Sequence, residues 1–165
     1  MSNSTQASSN RSKLRTQNLK LKTWRETMPL TVRVVAPDKT VWDAAAEEVI
    51  LPSTTGQLGV LPGHAPLLTA LDVGVMRVRA NREWLAIALM GGFAEVENDE
   101  VTILVNAAER GDAINLEEAR TAYTEAMRKF DQVESGDNRQ AKLQAERSMR
   151  RARARFQAAG GMVQV

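Results

Sequence analysis

Gly56-Gln57-Leu58-Gly59-Val60-Leu61-Pro62-Gly63-His64-Ala65-Pro66-Leu67-Leu68 places three glycines, two prolines and the only histidine of the chain within thirteen residues. Glycine adopts backbone angles that a Cβ forbids, and proline fixes one angle and removes a donor. The stretch is therefore no long regular strand. It reads as a turn, a short strand Leu58–Leu61, a tight Pro-Gly turn and a new strand from Leu67. Too many apolar residues stand between the breaks for a solvated loop, so this is a shaped corner of an all-β unit.

Outward from that corner the pattern stays β. Leu30-Thr31-Val32-Arg33-Val34-Val35 alternates apolar and polar residues, as a half-buried strand does. Pro37-Asp38-Lys39 is a turn, Val41–Ala46 and Glu47–Leu51 read as strands, and Ser53-Thr54-Thr55-Gly56 is a loop tip. Leu67–Leu71, Val73–Arg79, Trp84–Met90, Phe93–Glu97 and Val101–Val105 follow as short strands. Asp72-Val73-Gly74, Ala80-Asn81-Arg82, Gly91-Gly92 and Asn98-Asp99 supply the breaks. Short strands at this spacing argue a β-sandwich.

Near Ala107 the period changes. Asn115 followed by Leu116-Glu117-Glu118 has the form of a helix N-terminus with a capping residue. Leu116, Ala119, Tyr123, Ala126, Phe130 and Val133 form one apolar stripe, and Gly136 ends the helix. Asp137 or Asn138 caps a second helix, with a stripe of Ala141, Ala145, Met149, Ala152, Phe156 and Ala159, stopped by Gly160-Gly161. A short connection between helices of similar length makes an antiparallel αα-hairpin. Four of the six stripe positions on the second helix are alanine. At about 0.8 kcal/mol per buried CH₂, such a stripe holds a helix weakly, which suits an element that changes partners.

The expected architecture is thus α+β: a basic extension at 1–27, a β-sandwich of about ten strands over 28–112, and a two-helix hairpin over 113–165. The extension carries six of the 22 Lys/Arg and one of the 20 Asp/Glu, net +5, which leaves 16 and 19 elsewhere, net −3. Its polar, serine-rich composition cannot bury enough surface to offset ordering entropy, so disorder is expected there. It has the composition of an organelle transit peptide, or extends ahead of a start at Met28. The chain has no cysteine, which excludes disulfides, thiolate catalysis and Cys-ligated zinc, and one histidine excludes a multi-histidine metal site. No apolar run is long enough to span a bilayer.

Few residues suggest chemistry. His64 lacks a nearby Ser-His-Asp or Gly-x-Ser-x-Gly pattern, so a structural hydrogen bond in a turn is the better reading than catalysis. Gly91-Gly92 is no phosphate loop, since no Lys-Ser/Thr follows. Residues 139–155 carry seven Lys/Arg against Glu146 alone. The density at Arg150, Arg151, Arg153 and Arg155 points to an acidic partner. Without interleaved aromatics it does not point to nucleic acid.

The stretch from Gly56 to Ala70 resembles the hallmark segment of epsilon subunits of F-type ATP synthases, and the similarity runs from about Leu30 to Val163. Val75-Met76-Arg77-Val78-Arg79 and Met90-Gly91-Gly92-Phe93-Ala94-Glu95-Val96 resemble the cyanobacterial and chloroplast branch most. The resemblance implies a non-catalytic rotor subunit on the cytoplasmic or stromal face of the thylakoid membrane, held there through its complex. It implies docking on the gamma subunit and the c-ring, and a hairpin that restrains ATP hydrolysis through the beta subunit. Carried onto this chain, Thr54, Thr55, Gly56 and Gln57 are the c-ring contact, and His64 and Thr69 lie at or near the gamma/rotor interface. Arg150, Arg151, Arg153 and Arg155 are the inhibitory contact to beta. Where the family often has an acid in the loop, this chain has Gln57. Some bacterial relatives bind ATP through Ile-Asp-x-x-Arg-Ala, where this chain has Ile114-Asn115-Leu116-Glu117-Glu118-Ala119. An acid in place of the cation disfavours a triphosphate, so no cofactor is expected. The rival reading is a β-sandwich module for a small ligand or glycan with a dimerising hairpin, against which the shortage of aromatic platforms speaks.

Overall fold

The computed structural model describes residues 29–163. The extension 1–27, with its expected disorder, lies outside them. Eight strands form one sheet: β1 (Leu30–Val35), β2 (Thr40–Ala46), β3 (Glu48–Ser53), β4 (Gly56–Val60), β5 (Leu67–Ala80), β6 (Glu83–Glu97), β7 (Glu100–Val105) and β8 (Ala108–Arg110). A 3₁₀ turn, Gly111–Ala113, leads into α1 (Leu116–Glu134) and α2 (Arg139–Ala158).

The strand order is β2-β1-β7-β6-β5-β3-β4, with β8 beside β6, and only β1 and β7 run parallel. Alternation explains β1: Leu30, Val32 and Val34 are fully buried, while Arg33 faces out to Asp43 at 3.0 Å. Residues of β2 and β4, at opposite ends of the strand order, share one buried cluster through Ala46 and Val60. The sheet therefore folds over on itself as a sandwich.

Two pairs of the strands read from the sequence merge into β5 and β6 because Asp72 and Gly91-Gly92 interrupt nothing, and the short β8 is added, so the sheet has eight strands. The β5–β6 ladder keeps one register from Leu67↔Val96 to Ala80↔Glu83, skipping only the Asp72/Gly91 step. What changes there is the outer partner. β6 pairs with β7 through Gly92–Glu97 and with β8 through Ile87–Leu89. Gly91 and Gly92 have φ of 79° and 153°, and a Cβ on Gly92 would meet Val105 Cα at 2.8 Å. The glycines let one strand serve two ladders; they do not end it. Two tight turns close the hairpins, Asn81-Arg82 and Asn98-Asp99, each with both central φ angles positive.

The helix signals are found where the sequence places them. Asn115 Oδ1 accepts from the N–H groups of Glu117 (3.0 Å) and Glu118 (3.1 Å), and Asn138 Oδ1 accepts from Ala141 N–H (3.1 Å). Gly160, at φ 95°, closes α2 with bonds from Gly160 N–H to Gln157 O and from Gly161 N–H to Phe156 O.

Two cores result. The larger lies inside the sandwich and contains no hairpin residue. The smaller joins Ile114, Ala119, Ala154, Phe156 and Ala158 to Ala88, with Val73, Val75, Ala86 and Met90 packed around them. α2 is thus covered on two sides, by α1 and by the outer face of β5–β6, and its most buried residues include Ala154 and Ala158, outside the expected stripe. A buried phenylalanine contributes about 1.5–3 kcal/mol by transfer and each alanine methyl about 0.8, so Phe156 dominates this second core.

Candidate functional site

The tip between β3 and β4 is the first candidate surface. Thr54, Thr55, Gly56 and Gln57 are all exposed. Ser53, the one buried polar residue among those described, organises them. Its Oγ donates to Gly56 O at 2.8 Å, accepts from Thr55 N–H at 3.3 Å, and lies 3.0 Å from Thr55 Oγ1. Thr54 N–H donates to Ala70 O at 3.2 Å, which sets the tip against β5 beside Thr69. The tip is therefore a shaped, hydrogen-bonded projection with free side chains.

His64 stands elsewhere. It follows the far end of β4 in a turn closed by its N–H to Leu61 O at 3.1 Å, with Pro62 and Gly63 at the corner and Gly63 at φ 80°. Gly63 N–H donates to Asp99 Oδ1 at 2.6 Å, tying this turn to the β6–β7 turn. The imidazole Nδ1 lies 2.7 Å from Ala65 O, a structural bond within its own turn. The fold brings Thr69 to the tip and leaves His64 apart from it.

Sequence reading missed a third surface. The register aligns Val35, Leu104, Phe93 and Ala70 across four strands on the outward face. Leu104 is 56 % exposed, Phe93 58 %, and neighbouring Leu68 72 %. Glu95, Glu97 and Glu100 border the row on the same sheet. Side chains of this size and number in one row, rimmed by acids, have the form of a protein-docking patch. The signal was present in Ile103-Leu104-Val105, where apolar residues occupy both faces of a strand.

The four arginines of α2 do not act as one group. Arg155 grips Glu109 on β8 with two bonds, Nε to Oε2 at 2.7 Å and Nη2 to Oε1 at 3.2 Å, and these bonds raise its pKa above the ordinary arginine value. Arg150 pairs with Asp72 on β5. Arg151 and Arg153 make no ion pair among the described residues, and Arg151 is exposed. Arg150 and Arg155 are engaged because α2 packs on the sheet as well as on α1. An open cleft of about 450 Å³ lies between α1 and the C-terminal segment, lined by Tyr123, Met127 and Met162 among others; none of the candidate residues lines it. Asn115 Oδ1 is committed to its helix cap.

Comparison with known proteins covers nearly all of the described chain. The model of the ATP synthase delta/epsilon chain beta-sandwich domain matches residues 29–111, and that of the delta/epsilon long alpha-helix domain matches 112–160. The ATP synthase epsilon chain of Synechococcus elongatus is 71% identical over 138 residues, 84% of this chain and 100% of that protein. The ATP synthase epsilon chain of Trichormus variabilis is 72% identical over 138 residues, 82% of this chain and 100% of its own length. Among solved structures, a chain of the Euglena gracilis mitochondrial ATP synthase, OSCP/F1/c-ring, has the same fold at a TM-score of 0.67. It shares 21% identity, and the match covers 79% of this chain and 81% of that one. A chain from the central stalk/c-ring of the Tetrahymena thermophila mitochondrial ATP synthase matches at a TM-score of 0.52 and 16% identity, covering 81% of this chain and 98% of that one.

Proposed function

The chain belongs to the family of ATP synthase delta/epsilon chains, and from that premise we propose how its surfaces divide the work of a rotor subunit. It is an epsilon chain of the ATP synthase central stalk. In our reading it performs no chemistry of its own. His64 is bonded within its own turn, and no nucleophile or carboxylate pairs with it among the described residues.

The sandwich docks on the gamma subunit through the outward row of Leu104, Phe93 and Leu68. This exposed row is the observation that carries the reading, since such a surface calls for a partner. The tip of Thr54, Thr55, Gly56 and Gln57 touches the polar loops of the c-ring by hydrogen bonds, and Gln57 offers no ionic contact. His64 and Thr69 flank the rotor interface from two sides. The hairpin restrains ATP hydrolysis when its arginines meet an acidic segment of the beta subunit. The subunit sits on the cytoplasmic or stromal face of the thylakoid membrane, held by its complex; no helix among the described residues is long and apolar enough to cross a membrane.

Replacing Phe93 and Leu104 with serine tests the docking. Both side chains are mostly in solvent, so folding should survive, as circular dichroism would show. Gamma should no longer co-purify. Capture of gamma at the parent level by the folded double variant would overturn the assignment of this face.

A further inference from the structure

Two arginines five positions apart on α2 are bonded to the sandwich. Arg150 reaches Asp72 on β5, 78 residues away in sequence, and Arg155 reaches Glu109 on β8, 46 residues away. Asp72 is held in place from behind, because its Oδ1 accepts from Val73 N–H at 2.7 Å where the β5–β6 ladder skips a pair. Glu109 receives both Nε and Nη2 of Arg155.

We propose that Asp72 and Glu109 form an intramolecular latch, which keeps Arg150 and Arg155 occupied while the hairpin lies on the sandwich and thereby withholds them from an acidic partner. The consequence for hydrolysis rests on the function proposed above; the latch itself does not. Three observations carry it. The apolar hold on α2 rests on one large side chain, Phe156, because its other two buried residues are alanine. All four charged side chains are 37–40% exposed, so water and a competing carboxylate reach them without disturbing either core. A carboxylate on a partner offers a guanidinium the same bonds that Glu109 offers, so exchange replaces like with like. Both pairs must break together when α2 lifts. Arg151 and Arg153 have no such ties and are available in either position. These four arginines thus divide into two that report the hairpin's position and two that its position leaves without an ion pair.

The absence of cysteine allows a direct test. Cysteines introduced at Lys39 and Ser148, both exposed, take a pair of distance labels on the full chain. Asp72→Asn keeps the Oδ1 acceptor for Val73 and removes the charge; Glu109→Gln does the same for its pair. The double variant should raise the ratio of lifted to docked hairpin about three- to tenfold at low salt, as expected from two weakened surface pairs. Salt should shrink the difference. Exchanging the charges, Glu109→Arg with Arg155→Glu, should restore the docked population, which a loss of packing would not allow. In the reconstituted complex, Asp72→Asn/Glu109→Gln should inhibit ATP hydrolysis at severalfold lower concentration. If the label distances of the double variant match the parent at low salt, or the exchanged pair behaves like Glu109→Gln alone, the latch is wrong. If the distances shift but hydrolysis is inhibited no more strongly, the latch stands and the inhibitory reading of the hairpin fails. If Arg151→Ala/Arg153→Ala weakens inhibition while Asp72→Asn/Glu109→Gln leaves the distances unmoved, the inhibitory reading stands and the latch fails.

Discussion

The ring of Tyr123 on α1 stacks on the ring of Phe156 on α2, with centroids 5.7 Å apart and planes 15° from parallel. The pair joins the two helices where Phe156 is also buried against the sheet-facing core. One residue thereby fastens α2 to α1, to the sandwich and, through Gly161, to the segment that follows α2.

Phe156→Ala should therefore cost the hairpin about 3–5 kcal/mol, the range for a buried aromatic truncated in a core. Hydrogen exchange should speed up throughout α1 and α2 while amides of β1 and β7 keep their protection, because the larger core has no hairpin residue. A uniform loss of protection across sandwich and helices would show that the two cores unfold as one.

The same separation predicts the outcome of truncation. A chain ending after Gly111 should fold cooperatively and retain gamma binding, since every residue of the larger core precedes it. It should be less soluble than the whole chain, because Val73, Val75 and Met90 lose their cover. Thermal unfolding and gamma capture measure both. A complex assembled with it should hydrolyse ATP faster than one with the full chain.

Gly92→Ala should be among the most damaging single changes in the sandwich. Its Cβ would enter the space of the Leu104 carbonyl and Val105 Cα, and its φ of 153° is strained for any L side chain. Gly56→Ala meets nothing within 4 Å and keeps only the backbone penalty of φ 127°, of order 1–3 kcal/mol. Urea midpoints should fall clearly further for Gly92→Ala than for Gly56→Ala.

Asp112 supplies a pH reading of the link between sandwich and hairpin. Its hydrogen bond with Arg110, 2.5 Å from Nη2 to Oδ2, holds its carboxyl below the ordinary aspartate range. A carboxyl with a lowered folded pKa contributes stability above its unfolded pKa and loses it as pH falls through the folded one. NMR titration should find Asp112 ionised to lower pH than free aspartate, and Arg110→Gln should move it up toward the ordinary value, the backbone N–H groups of Asp112 and Ala113 still favouring the carboxylate. The acid-side loss of stability should shrink in the same variant.

Much of this architecture was legible in local pattern. The alternation in Leu30–Val35 marks β1 at both ends, and Asn115 and Gly160 mark helix ends by backbone chemistry confined to a few residues. What could not be read were the consequences of distant packing. Asp72 and Gly91-Gly92 look like breaks, yet the facing strand keeps each continuous. Ala154 and Ala158 are buried because a sheet lies over them, which no helical periodicity within α2 announces. The row through Phe93 and Leu104 is hinted at by Ile103-Leu104-Val105 and is complete only once four strands are aligned. The partners of Arg150 and Arg155 lie 78 and 46 residues away, with no local signal to find them.

Strands β5 and β6 are shared property: Met76, Val78, Ile87 and Leu89 point into the sandwich, and Val75, Ala86, Ala88 and Met90 point toward the hairpin. Adjacent residues therefore serve different cores. A saturation-mutagenesis scan through Val73–Val78 and Ala86–Met90, scored separately for assembly of the enzyme and for restraint of wasteful hydrolysis, should alternate residue by residue between a null allele and a deregulated one.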